Sequence, residues 1–246
     1  MTERPKVLVL LSGGLDSTLA VKTMLDQDLD VEVAIFTTPF CLCDKCSAGS
    51  TVKKFGIKAH TVVLGQEYLD LVANPPRGYG SQMNPCIDCH AMMFRLAGEI
   101  MESEGFDFLF SGEVLGQRPM SQNAQALRSV ANHSDFNDKV LRPPSAKLLP
   151  ITPMEESRLV DREQLLDIQG RSRKPQQALA VKWGYTDYPS SGGGCLLTES
   201  GFSDRLRDLI EHDPQASVND VNLLKVGRQF RLSESCKLVI GRHQAD

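Results

Sequence analysis

No apolar run in this 246-residue chain approaches the ~18 residues of a membrane span, so no spanning helix and no membrane partner are expected. Met1 to Lys6 is short and polar and leads straight into an apolar stretch, without the layout of a secretory signal. Internal repeats and low-complexity tracts are missing too. The remainder is ordinary globular composition, 41% hydrophobic and 24% charged, which argues against a disordered or fibrous protein. Excess charge of one sign is also lacking. At a net charge of -4, capture of nucleic acid by overall charge is not expected, although a local basic patch stays open. The length suggests one or two domains and suffices for a full core without staples. A reducing cytoplasm is the expected compartment. There, seven Cys read as metal-binding or catalytic groups more readily than as disulfides.

The apolar pattern predicts strands at Val7–Leu11, Val31–Phe36, Ala59–Leu64, Phe106–Ser111 and Val140–Leu141. Between them it predicts helices over Ser17–Leu25, Ser47–Phe55, Glu67–Ala73 and a long one to about Glu104. Asn84 and Pro85 suit the cap and first turn of that long helix. Strands alternating with helices give an α/β protein with an open, mostly parallel sheet and helices on both faces. The pattern changes near Leu149-Pro150, and an Arg-rich stretch with short helices at best follows. Helices over Lys174–Trp183, Phe202–Glu211 and Val218–Val226 and a hairpin of Gln229–Leu232 with Lys237–Ile240 make a small C-terminal α+β part. The expected division is 1–150, 151–200 and 201–246.

Ser12-Gly13-Gly14-Leu15-Asp16-Ser17 lies between the first strand and its helix. Glycines let successive N–H groups point into one concavity, and the following helix adds its positive end. Ser12 and Ser17 bring hydroxyl donors. Asp16 would repel phosphate unless Mg2+ lies between them, so a metal-bound nucleotide is implied. The Lys of G-x-x-x-x-G-K-[ST] is missing, and the loop is not G-x-G-x-x-G. Charge on a departing phosphate must therefore be met from elsewhere, with Arg142, Lys147 and Arg118 as candidates. Ser111-Gly112 ends the fourth strand on the carboxyl edge where such sheets bind ligands.

The hexapeptide resembles the S-G-G-x-D-S signature of the PP-loop ATP pyrophosphatases. The resemblance implies the adenine nucleotide alpha hydrolase-like fold, ATP cleaved between its α- and β-phosphates, and AMP carried to a substrate. It also places Phe36 and Thr37, at the end of the second strand, beside the adenine.

Pro85-Cys86-Ile87-Asp88-Cys89-His90 puts two thiols on one face of a helix, near its N-terminus, where thiolate is favoured. Cys195 follows three glycines, so its backbone can approach a cluster or substrate closely. Three thiolates fall one short of a structural zinc site but leave one iron of a [4Fe-4S] cluster open. Free buried thiols, a redox pair and catalytic persulfide chemistry are the alternatives. The set Cys86, Cys89 and Cys195 is similar to that of the [4Fe-4S]-dependent tRNA thiolation enzymes within the PP-loop family. That likeness implies a sulfur transferase that adenylates a tRNA uridine carbonyl and replaces its oxygen by sulfur from a sulfide or persulfide donor. No S-adenosylmethionine motif supports methyl transfer. Rival readings are a PP-loop ligase with zinc in the Cys sites and a non-catalytic tRNA-binding protein.

Cys41, Cys43 and Cys46 form C-x-C-x-x-C, as compatible with Zn2+ as with a tight Cys-rich loop. His60 or Cys236 would have to supply a fourth ligand, and Cys236 itself reads as a buried small hydrophobe. Arg171, Arg173 and Lys174 can hold RNA phosphates, although a charge run is usually a solvated face. Trp183, Tyr185 and Tyr188 can stack on an extruded base, with core packing the commoner use. Residues 224–232 and 240–242 are similar to the RNA-binding domain of some ribosome-rescue proteins. That domain is expected here to be abbreviated or completed by a second copy in a homodimer.

Overall fold

The computed structural model describes residues 4–41, 48–185, 188 and 195–243. Cys43, Cys46 and Gly192-Gly193-Gly194 lie outside the described residues. In chain order the elements are β1 (Lys6–Leu10), α1 (Leu15–Leu25), β2 (Asp30–Thr37), α2 (Ala48–Phe55), β3 (Ala59–Val63), α3 (Gln66–Ala73), α4 (Cys86–Glu104), β4 (Phe108–Ser111), α5 (Ala124–Asn132) and β5 (Val140–Leu141). Then follow α6 (Pro153–Glu156), α7 (Lys174–Lys182), α8 (Ser200–His212), α9 (Val218–Leu223), β6 (Arg228–Ser233) and β7 (Cys236–Ile240). The hydrophobic pattern does not announce α5. Asn123 starts it, its side chain accepting from Ala126 N at 2.9 Å, and Ala126, Leu127, Val130 and Ala131 are buried.

The strands order as β3-β2-β1-β4-β5. β1 pairs in parallel with β2 and with β4, and β4 in parallel with β5. The chain therefore builds outward from β1 on one side, then returns to its other side. Ligands of open α/β sheets bind at such a switch point, beyond the carboxyl ends of the strands. Alternate side chains of β1 reach opposite faces. Val7 and Val9 join Ala20, Val21 and Met24 of α1 on one face, with Val52 and Phe55 of α2 packed against them. Leu8 joins Phe94, Ala97 and Met101 of α4 and Val130 of α5 on the other. Helices thus cover both faces, as expected.

The described residues divide into two compact units. The first holds the sheet and α1, α2 and α4 to α7. Met154, Val160 and Leu165, from beyond residue 150, pack into the core of β1 and α1. The second is assembled from residues 37–41, residues 63–85 and the chain from Cys195 onward. Its core packs Phe40 at a tilt against Tyr68, ring centroids 5.8 Å apart, and edge-on to Phe202 at 6.1 Å. Its two-stranded hairpin is too small to stand alone. Asp208 of α8 ties it down, accepting from Arg231 at 2.8 and 3.0 Å and from Lys237 at 2.7 Å. Hydrogen bonds from Arg231 outweigh the opposing effect of burial, and Lys237 adds to them, so the Asp208 carboxyl stays well below the usual carboxylate range.

Candidate functional site

Between β1 and α1 the backbone turns through Gly13, whose φ of +75° lies in the left-handed region that glycine enters without strain. Gly14 stands at the cap of α1, so no side chain caps the helix. Its positive end is left to an anion. The Ser17 hydroxyl donates to Gly14 O at 3.0 Å and lies 3.2 Å from Ser12 Oγ. Thr18 Oγ1 donates to the same carbonyl at 3.1 Å and meets Thr51 Oγ1 at 3.0 Å. Hydroxyls thus brace the turn from within. Leu10 pairs with Ser111, which brings the end of β4 alongside the loop. A Cβ on Gly112 would stand 2.3 Å from Ser17 Cα and 2.4 Å from Ser17 N. Ser12 to Ser17, Ser111 and Gly112 therefore share one edge of the sheet, as expected. Phe36 and Thr37 end β2, with Phe36 packed against the Leu8 and Phe94 core.

Asp16 is half-buried, and its Oδ2 accepts from Gln117 Nε2 at 2.7 Å. Gln117 in turn accepts from Gln176 Nε2 at 2.8 Å. Asp16 Oδ1 is buried and has no hydrogen-bond partner among the described residues.

A second polar group follows β4 directly. Glu113 is buried and accepts from Arg142 Nε at 2.8 Å, with His90 Nδ1 at 2.9 Å from its other oxygen. Ser111 Oγ donates to it at 3.2 Å. Burial raises the Glu113 carboxyl, but the charge of Arg142, then the hydrogen bond and charge of His90, outweigh it and bring it down to about 2. Arg142 also donates to Leu127 O at 3.0 Å, and its side chain is 9% exposed. It is a buried partner of Glu113 rather than a surface cation. Lys147 donates to Glu163 O at 2.7 Å, and Arg118 is exposed.

Cys86 opens α4 and is half-buried, and Cys89, one turn on, is buried. Pro85 stands just ahead of the first helical residue. Cys195 belongs to the second unit, where it lies opposite Cys41 in an antiparallel bridge. Leu196 N donates to Phe40 O at 2.9 Å, which makes the two cysteines a non-hydrogen-bonded pair. Such pairs have Cα atoms about 4.5 Å apart, within disulfide range. Diamide, which removes two electrons and two protons from a thiol pair, is expected to close Cys41 to Cys195. The check is peptide mass spectrometry in a Cys43→Ser, Cys46→Ser background; recovery of both peptides unlinked after full oxidant exposure would contradict the pairing. Among the described residues no group of three His, Cys, Asp or Glu gathers as a metal requires.

Arg171 and Lys174 are exposed, while Arg173 is half-buried. Tyr185 and Tyr188 stack on each other at 6.1 Å and, with Trp183, pack against Leu15, Leu19 and Ala180. These rings serve the core. His60 is engaged by Glu32 at 2.6 Å. Cys236 is exposed on its hairpin, not buried, because a two-stranded sheet leaves its outer face uncovered. Sequence reasoning passed over Glu113 and Gln117 as site residues. Their position just beyond a strand's carboxyl end was the available signal.

A parallel sheet with an uncapped, glycine-bearing loop at its switch point, and an acidic side chain inside that loop, defines an α/β protein of the PP-loop class. The chain belongs to the family described as Thiamine biosynthesis protein (ThiI), whose model matches residues 3–146. It is 27% identical, over 92% of its length, to the tRNA-specific 2-thiouridylase MnmA of Acinetobacter baylyi, and over 85% to that of Marinobacter nauticus. It spans only 62% and 55% of those relatives. A U34-tRNA thiolase, NcsA from Methanococcus maripaludis, solved with its [4Fe-4S] cluster, aligns at a TM-score of 0.39 and 18% identity, covering 90% of this chain and 72% of that one. A predicted tRNA methyltransferase subunit from Methanocaldococcus jannaschii aligns at 0.46 and 14%, covering 72% and 76%. No described helix is long and apolar enough to cross a membrane.

Proposed function

We propose that this chain thiolates tRNA, activating a uridine carbonyl with ATP and exchanging its oxygen for sulfur. The observation that carries the reading is the Ser12–Ser17 loop at the switch point, with Gly112 close against Ser17 and a glycine rather than a capping side chain at the start of α1. Loop N–H groups and the Ser12 and Ser17 hydroxyls receive phosphate oxygens. Asp16 Oδ1, buried and unpartnered among the described residues, suits a hard cation, and Mg2+ held there would neutralise phosphate charge. The carbonyl oxygen attacks the α-phosphorus of ATP and pyrophosphate leaves. The oxygen now departs as AMP when sulfur adds to the carbon, and the sulfur's proton is released. Phe36 and Thr37 line the adenine side. Lys147 and Arg118 are the proposed cations for pyrophosphate, since Arg142 is held by Glu113.

On the sulfur side we propose Cys86 and Cys89, with Cys195 as third thiol, as ligands of a [4Fe-4S] cluster that would present sulfur when bound. Donor chemistry supports this: three Cys leave one iron open. Cys86 and Cys89 lie one turn apart at the start of α4, both thiols on one face of the helix. Arg171, Arg173 and Lys174 are proposed to hold RNA phosphate.

The test is bulk tRNA, ATP and sulfide with pyrophosphate release as readout, beside mass spectrometry of tRNA nucleosides from cells with and without the gene. Asp16→Asn is expected to slow pyrophosphate release by about a hundredfold. Cys86→Ala, Cys89→Ala and Cys195→Ala are expected to lose the iron chromophore after anaerobic reconstitution while keeping ATP binding. An unchanged thionucleoside profile together with no pyrophosphate release on any tRNA would refute the proposal.

A further inference from the structure

We infer that Gln117 is a positioning residue for Asp16, and that Gln176 fixes which end of Gln117 is presented to it. This rests on the nucleotide reading of the loop proposed above. A carboxylate only accepts hydrogen bonds, so the Gln117 atom 2.7 Å from Asp16 Oδ2 is an N–H. Its carbonyl then faces away, toward Gln176, which must answer with an N–H across 2.8 Å. The charge on Asp16 thus dictates the direction of the whole chain of amides.

Gln176 is fully buried near the start of α7, and Gln117 follows β4. Two stretches distant in sequence from the loop therefore converge on one carboxylate. Oδ2 is committed, so Oδ1 is the oxygen left over. It is buried and unpartnered among the described residues, which is costlier for a charged acceptor than for a neutral one. A cation relieves that cost. Rotation about the carboxylate's own bond is otherwise soft. Gln117 holds the plane through Oδ2 and so leaves Oδ1 free to take a cation, acting through Asp16 rather than on substrate.

The experiment measures binding of a fluorescent ATP analogue, MANT-ATP, with Mg2+ and again in EDTA. Wild type is expected to bind more tightly with Mg2+. Gln117→Leu is expected to lose about tenfold with Mg2+, the size of one hydrogen bond to a charged group, and little in EDTA. Gln176→Leu is expected to act in the same direction, and it carries the test if Gln117→Leu does not fold. Equal losses in both conditions would assign these residues a purely structural role and overturn the inference, as would an unchanged Mg2+ preference. A wild-type chain that binds no nucleotide in either condition would instead overturn the reading of the loop.

Discussion

Gly112→Ala is expected to remove nucleotide binding while leaving most of the chain folded. The added methyl would stand 2.3 Å from Ser17 Cα, 2.4 Å from Ser17 N and 2.7 Å from the Asp16 carbonyl carbon. These are backbone atoms of the first turn of α1, so no change of rotamer relieves the clash. Either β4 or the loop must move. Overpacking of this kind costs about 1–3 kcal/mol. The larger effect is on binding, because the loop's N–H groups move with Ser17 and no longer converge on one anion. Gly14→Ala is the control. Its Cβ would meet only Ser12 Oγ, at 3.5 Å, and Gly14 has an ordinary φ of -77°. Thermal melts and nucleotide titration of both variants check this. If Gly112→Ala binds nucleotide as well as Gly14→Ala does, the packing of β4 on the loop is not what shapes the site.

The contrast between those glycines shows what a sequence can and cannot disclose. That Gly13 and Gly14 make a turn is local, and an unbroken apolar run followed by Ser-Gly-Gly is enough to read it. The central strands β1 and β4 are legible for the same reason: strands buried on both faces are apolar almost throughout. Gly112 owes its necessity to a neighbour nearly a hundred residues away, which only the pairing of Leu10 with Ser111 brings near. Arg142 misleads in the same manner. An Arg before two prolines reads as a surface loop, yet Glu113 makes it a buried partner. The backbone bridge of Cys195 to Cys41 is another such partnership, which no spacing rule connects. Periodicity is set by neighbours along the chain, whereas these partners are set by how the sheet is crossed.

Glu113 shows the strength of such a distant partnership. Glu113→Ala leaves the Arg142 guanidinium buried without its counter-charge, expected to cost about 3–5 kcal/mol of stability. Pairing with a second change separates the charge from the space it fills. Glu113→Leu with Arg142→Met removes both charges and is expected to recover most of the loss. Acid titrates the same contact. The folded carboxyl sits at about 2, against an ordinary 4.5, so its contribution is present above pH 4.5 and is lost as the pH falls toward 2. The depression corresponds to roughly 3 kcal/mol. Wild type should therefore lose stability over that window faster than the double variant, and denaturant melts between pH 6 and 2.5 measure the difference. The His90 ring gives an independent reading through its nitrogen chemical shifts. A Gln at 113 offers one oxygen where Glu offers two, so in Glu113→Gln the amide nitrogen faces either Arg142, whose Nε–H loses its acceptor, or His90, whose Nδ1 must then accept rather than donate. Parallel acid curves for wild type and the double variant, with the His90 signal unmoved in Glu113→Gln, would mean that this carboxylate organises neither partner.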